Sequence, residues 1–323
     1  MRKKLLEVFS NADGEFISGQ KISKQLGCSR TAIWKHIEDL RKEGYELEAV
    51  RKLGYRIVNK PDKISGNEIR LGLTTEKLGR VVYFDDSVES TQKIAYRLAY
   101  EDAIEGTIVV AEEQTAGRGR MDRQWFSPKY TGIWMSMILR PNIPPSQAPQ
   151  LTLLTAVGVA QAIEEVTGLE PEIKWPNDIL YRGKKVVGIL TELQAEADRI
   201  NAVIIGIGVN VNQSKDQFPE HISDNATSLS ICKGSKVDRA KLLQTILLKI
   251  EKLYFDYLTH GFKIVKILWE SYAISIGKDI IARTLTGSIK GRAIGITEDG
   301  VLMLKDNNGV IHNIYSADIE ISS

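Results

Sequence analysis

Arg118, Arg120 and Arg123 put three permanent cations into six residues, interleaved with Gly117 and Gly119 and followed by Trp125, Phe126, Ser127 and Pro128. Guanidinium forks match phosphate and carboxylate oxygens two at a time. Glycine allows backbone conformations that other residues resist, so main-chain N–H groups can approach an anion. The indole and phenyl rings add flat apolar surface, and the proline stops the stretch. Together these groups suit a phosphate carried on a planar base. The apolar runs 107–111 and 132–139 on either side read as buried strands, unlike the flanks of a disordered arginine–glycine segment that binds nucleic acid. The third glycine of a dinucleotide fingerprint is missing, Trp-Phe-Ser-Pro cannot open a helix, and no Gly-Lys-Ser/Thr ending marks a P-loop.

Four other segments carry chemistry. Ser90, Thr91 and Gln92 lie between a strand at 81–84 and helical periodicity at 93–100. Taken alone they are read as a helix cap, although two hydroxyls and an amide at such a junction also suit a small polar ligand. Lys174-Trp175-Pro176-Asn177-Asp178 predicts a tight turn. A structural turn needs only the proline and the asparagine, so Lys174 and Asp178 are surplus to it. Lys184 and Lys185 stand at the mouth of an apolar strand through Gly188 to Glu192. The segment 203–212 is a strand carrying Gly206 and Gly208 and ending in Asn210 and Asn212. Glycine weakens strands, so its repetition predicts a group packed close against the backbone.

The elements that must hold these groups are legible in outline. A chain of 323 residues, 43% hydrophobic and 26% charged, has room for two or three domains of ordinary globular composition. The first residues lack the apolar core of a signal peptide, and no run approaches the roughly 18 apolar residues of a membrane span. Cys28 and Cys232 are far apart and the four histidines are scattered, which suggests neither a disulfide framework nor a zinc site. The expected location is the cytoplasm, with no membrane partner. The net charge of +2 hides an asymmetry: residues 1–63 hold 14 Lys/Arg against 9 Asp/Glu, the remainder 29 against 32. A basic unit joined to a slightly acidic one points to nucleic acid for the first alone.

That basic unit is expected to span 1–63. Helices are predicted at 2–10, at 19–26 after the cap Ser18 with Gly27 as stop, and at 30–42 after the cap Ser29, with Ile33, Ile37 and Leu40 facing inward. The spacing is that of a helix-turn-helix. Ser29, Arg30, Thr31, Lys35 and His36 then lie on or near the outward face of a reading helix. A hairpin at 45–58 places Arg51 and Lys52 at the tip of a wing, and residues 60–66 read as a linker. This unit resembles the winged helix-turn-helix domains of bacterial regulators; a helical interaction module with merely solvated charges is the weaker alternative. Further on, 151–167 reads as a buried helix, 213–225 as either a loop closing over a ligand or a plain surface loop, and 237–258 as an amphipathic helix. Short strands at 279–283, 288–296, 301–304 and 310–314, with Asn307-Asn308-Gly309 as a hairpin turn, follow.

The arginine–glycine loop followed by Trp-Phe-Ser-Pro, Lys174-Trp-Pro-Asn-Asp178 and Lys185-x-x-Gly188-Ile-Leu, in that order, closely resemble the biotin protein ligases. With the N-terminal unit, essentially the whole chain is similar to their bifunctional ligase/repressor form. The resemblance implies an α/β (α+β) fold: a winged helix-turn-helix at 1–63, a mixed-sheet catalytic domain of the biotin/lipoate ligase type at 67–270, and an SH3-like barrel at 275–323. It implies that biotin and ATP give biotinyl-5'-AMP with Mg²⁺, and that biotin then passes to a lysine of a carrier domain, as in acetyl-CoA carboxylase or pyruvate carboxylase. Ser90, Thr91 and Gln114, with the backbone at Gly117 and Arg118, match positions that hold the ureido ring; Gly188 also falls in the biotin site. Arg120 and Arg123 match the phosphate-binding cations, Lys185 the lysine near the carboxylate, and Trp125 the aromatic by the adenine. Asn177, Asp178 and Asn210 fall in the nucleotide and magnesium region, Asp178 being the candidate metal ligand. Gln92 departs from the asparagine of many relatives, a change expected to matter little. The adenylate-bound homodimer is expected to repress transcription at operator DNA. Two alternatives stand beside this: a ligand-sensing repressor without ligase turnover, and a lipoate-type ligase.

Overall fold

The computed structural model describes residues 2–321 other than 11, 13, 43, 60–61, 197–198 and 285–286. Three helices, α1 (Arg2–Ser10), α2 (Gly19–Leu26) and α3 (Arg30–Lys42), precede a hairpin of β1 (Glu46–Val50) and β2 (Gly54–Asn59). Local chemistry sets the boundaries. Ser18 Oγ accepts the Lys21 amide at 3.2 Å, Gly27 ends α2 at a left-handed φ of 64°, and Ser29 Oγ accepts the Ala32 amide at 3.2 Å. Leu5, Leu6, Phe9, Ile22, Ile33, Ile37 and Leu40 form a separate core for this unit.

Lys60 and Pro61 of the expected linker lie outside the described residues. Within it Ile64 is fully buried, and it leads into α4 (Gly66–Leu71), a helix absent from the sequence-based expectations, in which Ile69 is also fully buried.

The central unit follows as β3 (Val82–Asp85), α5 (Thr91–Tyr100), β4 (Ile108–Ala111), β5 (Gly132–Leu139), α6 (Ala148–Thr167), β6 (Glu172–Lys174), β7 (Asp178–Tyr181), β8 (Lys184–Glu196) and β9 (Arg199–Asn210). After these come α7 (Glu220–Ser223), α8 (Leu229–Lys233), α9 (Arg239–His260) and α10 (Lys263–Tyr272). The seven strands lie in the order β3-β4-β5-β9-β8-β7-β6; β3 and β4 run parallel and every other pair antiparallel. Strand alternation divides the side chains. Val203, Ile205, Ile207 and Val209 of β9 join the main core with α6 and α9, whereas Ala202 and Ile204 meet Ala95, Leu98 and Ala99 of α5. Gly206 and Gly208 therefore fall on the α5 face. Register puts Ser136 of β5 opposite Gly206, and Gly188 of β8 opposite Gly208. α6 is apolar around most of its circumference, as a helix buried between layers must be.

Five strands, β10 (Asp279–Thr284), β11 (Gly287–Ile296), β12 (Leu302–Lys305), β13 (Ile311–Ile314) and β14 (Asp318–Ile321), form an antiparallel sheet in the order β13-β12-β11-β10-β14, consistent with the SH3-like class. Asp306 shapes its hairpin by accepting the Asn308 and Val310 amides, both at 2.9 Å. This sheet is anchored to the central unit: Trp175 Nε1 donates to Gly300 O at 3.3 Å and Gln150 Nε2 to Glu298 O at 2.8 Å. Among the described residues, no helix is long and apolar enough to cross a membrane.

Candidate functional site

The arginine–glycine stretch folds back on itself as an irregular hairpin. Gln114 pairs with Ser127 and Arg118 with Gln124, the Trp125 amide donates to Gly117 O at 2.9 Å, and the Gly119 amide donates to Arg123 O at 2.7 Å. The conformational role expected of the glycines is corrected here. Gly119 is extended at φ −106°, and the left-handed residues are Met121 and Asp122, both at φ 56°. What Gly117 provides is the absence of a side chain, because a Cβ there would fall 2.5 Å from Trp125 O.

The glycines of β9 have the close neighbours that their repetition predicts, and Gly188 of β8 shares one of them. The Trp125 indole lies over Gly188 and Gly208, where a Cβ would come within 2.8 Å and 2.3 Å of its ring atoms, and Gln92 Oε1 would be 2.7 Å from a Cβ at Gly206. The indole also meets Trp134 edge-on at 6.5 Å and lies 5.2 Å from Lys185 Nζ. Gly208→Ala is therefore expected to drive Trp125 out of its seat. It should cost about 1–3 kcal/mol in urea unfolding, as overpacking does, and should red-shift the tryptophan emission. An unchanged unfolding midpoint and spectrum would show that Trp125 does not rest there in solution.

Between loop and sheet lies a cavity of about 420 Å³, lined by Ser90, Thr91, Gln114, Arg118, Arg120, Arg123, Trp125, Asn177, Asp178, Lys185, Gly188 and Asn210. Of the residues expected at the site, only Gly117 sits behind the lining. One end is neutral and polar. Gln114 Oε1 accepts from the Thr91 amide at 2.9 Å and from Thr91 Oγ1 at 3.1 Å; Thr91 Oγ1 and Ser136 Oγ are 2.9 Å apart. Ser136 Oγ in turn donates to Gln92 Oε1 at 2.9 Å, and Gln92 Nε2 donates to Ile204 O at 3.1 Å. Gln92 is thus a buried strut rather than a passive substitute. The reading of Ser90 as a helix cap does not hold. It occupies the N-cap position, but its side chain makes no capping bond, and Gln114 takes the first helical amide instead. Ser90 Oγ, in a residue only 1% exposed, has no hydrogen-bond partner and lines the cavity.

The other end is cationic. Arg120 Nη1 donates to Asn177 Oδ1 at 3.1 Å and Nη2 to Ser316 Oγ at 2.8 Å, while Arg123 pairs with Asp318. Lys185 Nζ stands 2.7 Å from Asp178 Oδ1, an ionic contact without hydrogen-bond geometry. Burial lowers the Arg120 pKa, against the opposing pull of Asp318 and Asp178 and with a lesser push from Arg123; a guanidinium remains charged all the same. Arg118 Nη2 reaches Glu192 at 3.5 Å, and its buried Nε has no partner. Asn210 Oδ1 accepts from Gln213 at 3.0 Å. Of the two readings of 213–225, the structure supports a wall of the site. Phe218, Ile222 and Asn225 line the cavity, and the Lys185 amide donates to Asn225 O at 2.7 Å.

Sequence reasoning missed Ser136, Ser316, Asp318 and Phe218. Ser136 had a signal, being the one hydroxyl in an otherwise apolar strand. Ser316 and Asp318 had none, since they come from a different unit of the fold.

In the N-terminal unit Arg30, Thr31 and Lys35 are exposed on α3, Ser29 caps it, and Arg51 and Lys52 are exposed at the wing tip. His36 is half-buried. Trp34, 56% exposed between Thr31 and Lys35, was also missed and adds an aromatic to the same face.

Residues 84–210 match the Biotin/lipoate A/B protein ligase family, residues 2–56 an HTH domain, and residues 275–322 the Biotin protein ligase C terminal domain. Fold and cleft together define the class: a biotin/lipoate-type ligase domain joined to a helix-turn-helix. The Bifunctional ligase/repressor BirA of Bacillus subtilis (strain 168) is 60% identical over 321 residues, covering 99% of this chain and 98% of its own length. The protein of the same name from Escherichia coli (strain K12) is 27% identical over 312 residues, covering 97% and 95%. The structure of biotin protein ligase from Aquifex aeolicus in complex with biotin and ATP superposes with a TM-score of 0.65 at 32% identity, over 75% of this chain and 99% of that one. The chain belongs to the family of bifunctional biotin ligase/repressors.

Proposed function

We propose that this protein joins biotin to ATP as biotinyl-5'-AMP, passes the biotinyl group to a lysine of a biotin carboxyl carrier protein, and represses transcription when the adenylate is bound. The observation that carries the reading is the polarity of the cleft: an unpartnered hydroxyl and amide-lined pocket at one end, cations at the other, and Trp125 between them. In the first step a biotin carboxylate oxygen attacks the α-phosphorus of ATP and pyrophosphate leaves. Ser90, Thr91 and Gln114 hold the ureido ring. Lys185 meets the carboxylate, Arg120 and Arg123 meet the phosphates, Trp125 packs by the adenine, and Asn177 and Asn210 orient the nucleotide. Both reactants are anions, so bringing them together and stabilising the added charge is the main task, and no enzyme nucleophile is needed. In the second step the carrier lysine, once deprotonated, attacks the acyl carbon and AMP departs.

Mg²⁺ fits the site as an ion carried by the substrate. Among the described residues no cluster of three acidic, histidine or cysteine ligands exists, and such an ion typically needs only one or two carboxylates besides phosphate oxygens. Asp178 would provide one, and the ion would neutralise phosphate charge. Incubation with ATP, magnesium and either biotin or lipoate tests the reading. Pyrophosphate and an acyl-adenylate are expected with biotin; turnover with lipoate alone, or none with either, would overturn it.

Repression in the cytoplasm calls for two half-sites, because one winged helix covers little DNA. A glycine- and arginine-rich loop is costly to order, so the adenylate that packs against it favours the homodimer. Sedimentation is expected to show the dimerisation constant rising with biotin plus ATP and magnesium above its value in the empty protein. Equal constants with and without ligands would exclude ligand-controlled assembly. The carrier of acetyl-CoA carboxylase or pyruvate carboxylase then competes by consuming the adenylate.

A further inference from the structure

Arg239, in the first turn of α9, is 1% exposed and lines no part of the cavity, yet it holds both stems of the arginine loop. Its Nη1 donates to Glu112 Oε2 at 2.8 Å, just before that loop, and to Gly132 O at 3.0 Å, just after it. Its Nε donates to Asp62 Oδ1 at 2.7 Å, and its Nη2 donates to Asp62 O. Glu112 is 0% exposed, and its second oxygen accepts the Ile64 amide at 2.8 Å. Asp62 also receives Asn212 Nδ2 at 3.3 Å, while the Asn212 amide donates to Thr131 O at 2.6 Å. One buried guanidinium therefore gathers the linker and both ends of the arginine loop, and Asn212 adds the start of the second cavity wall.

The ties continue towards the reading helix. Gln244 Nε2, farther along α9, donates to Glu68 O at 2.8 Å and Ile69 O at 3.2 Å in α4. The Glu68 carboxylate accepts from the hydroxyl of Tyr45, which belongs to the core of the winged unit. A buried ion pair is weak evidence for stability, but it does fix geometry, since each charge tolerates few alternative partners.

We infer that Arg239, with Asp62 and Glu112, positions the arginine loop and relays its packing to the orientation of the DNA-binding unit. When ligand packs the loop, its stems are fixed and Arg239 holds Asp62 through both side chain and backbone. When the loop loosens, Glu112 and Gly132 shift and the grip on Asp62 weakens. Linkage makes the effect reciprocal: loosening the linker must weaken retention of the ligand. The relay rests on the proposed function in one respect, that the ligand packing the loop is the adenylate.

The test uses the full chain as wild type, Asp62→Ala, Asp62→Asn and Tyr45→Phe, none of which alters a cavity residue. Each protein is loaded with biotin, ATP and magnesium. Release of labelled adenylate is then followed under a chase of unlabelled biotin, and hydrogen exchange of the peptide containing Ile64 is measured loaded and empty. Loading is expected to slow that exchange in the wild type. Asp62→Ala and Tyr45→Phe should speed release about two- to thirtyfold, the usual span of coupling along such networks, with Asp62→Asn in between because its amide oxygen can still accept from Arg239. A purely structural role would lower the unfolding midpoint of the empty protein and leave release unchanged. That result, or wild-type exchange indifferent to loading, overturns the relay. A wild type that makes no adenylate overturns the functional reading, and the relay with it.

Discussion

A chain lacking residues 1–61 is expected to form the adenylate and to lose its hold on operator DNA. The exposed cations and Trp34 of α3, together with the wing at Arg51 and Lys52, are removed. Every cavity-lining residue lies beyond Asp86. The cut falls before Asp62 because that carboxylate belongs to the buried Arg239 network. Removing it as well would leave the buried guanidinium with one carboxylate, Glu112, instead of two. Pyrophosphate release and retention of a promoter fragment at increasing salt give the two readouts, with cooperative unfolding as proof of a folded product. DNA binding by the shortened chain, or loss of adenylate formation from a folded one, would refute this division of labour.

Arg120→Ala should slow adenylate synthesis, or release the adenylate early, by about tenfold to a hundredfold. That range follows from the roughly 1.5–3 kcal/mol of a hydrogen bond to a charged group. The side chain already bridges Asn177 of the central unit and Ser316 of the C-terminal sheet, so its loss also unties the loop from two neighbours. If rate and retention both match the wild type, Arg120 is a bystander to the reaction.

Sequence legibility followed the range of the forces involved. α2 and α3 were predicted with the observed bounds because caps and stop glycines are local. The glycines of β9 correctly announced close neighbours, although the sequence did not identify them as Trp125 at Gly208 and Gln92 at Gly206. α6 begins three residues before its expected start, and β8 runs four residues past its expected end, where tertiary packing extends an element beyond its own pattern. α4 and α10 were not assigned at all. The cap assignment at Ser90 failed because its hydroxyl accepts none of the first-turn amides, while the first of them, on Thr91, is taken by Gln114, distant in sequence. The partners of Arg120 and Arg123 were illegible for the same reason: nothing near them in sequence hints at Ser316 or Asp318.

Those two partners also bear on how the molecule is made. Translation delivers the winged unit first, and domains commonly fold as they emerge. Ser316 and Asp318 are added nearly two hundred residues after the arginines they meet. For most of its synthesis, then, a nascent chain carries a finished helix-turn-helix but an unfinished cationic end of the cleft. Such a chain can touch DNA before it can hold the signal that should govern the contact. A stop codon late in the message would leave that immature condition permanent.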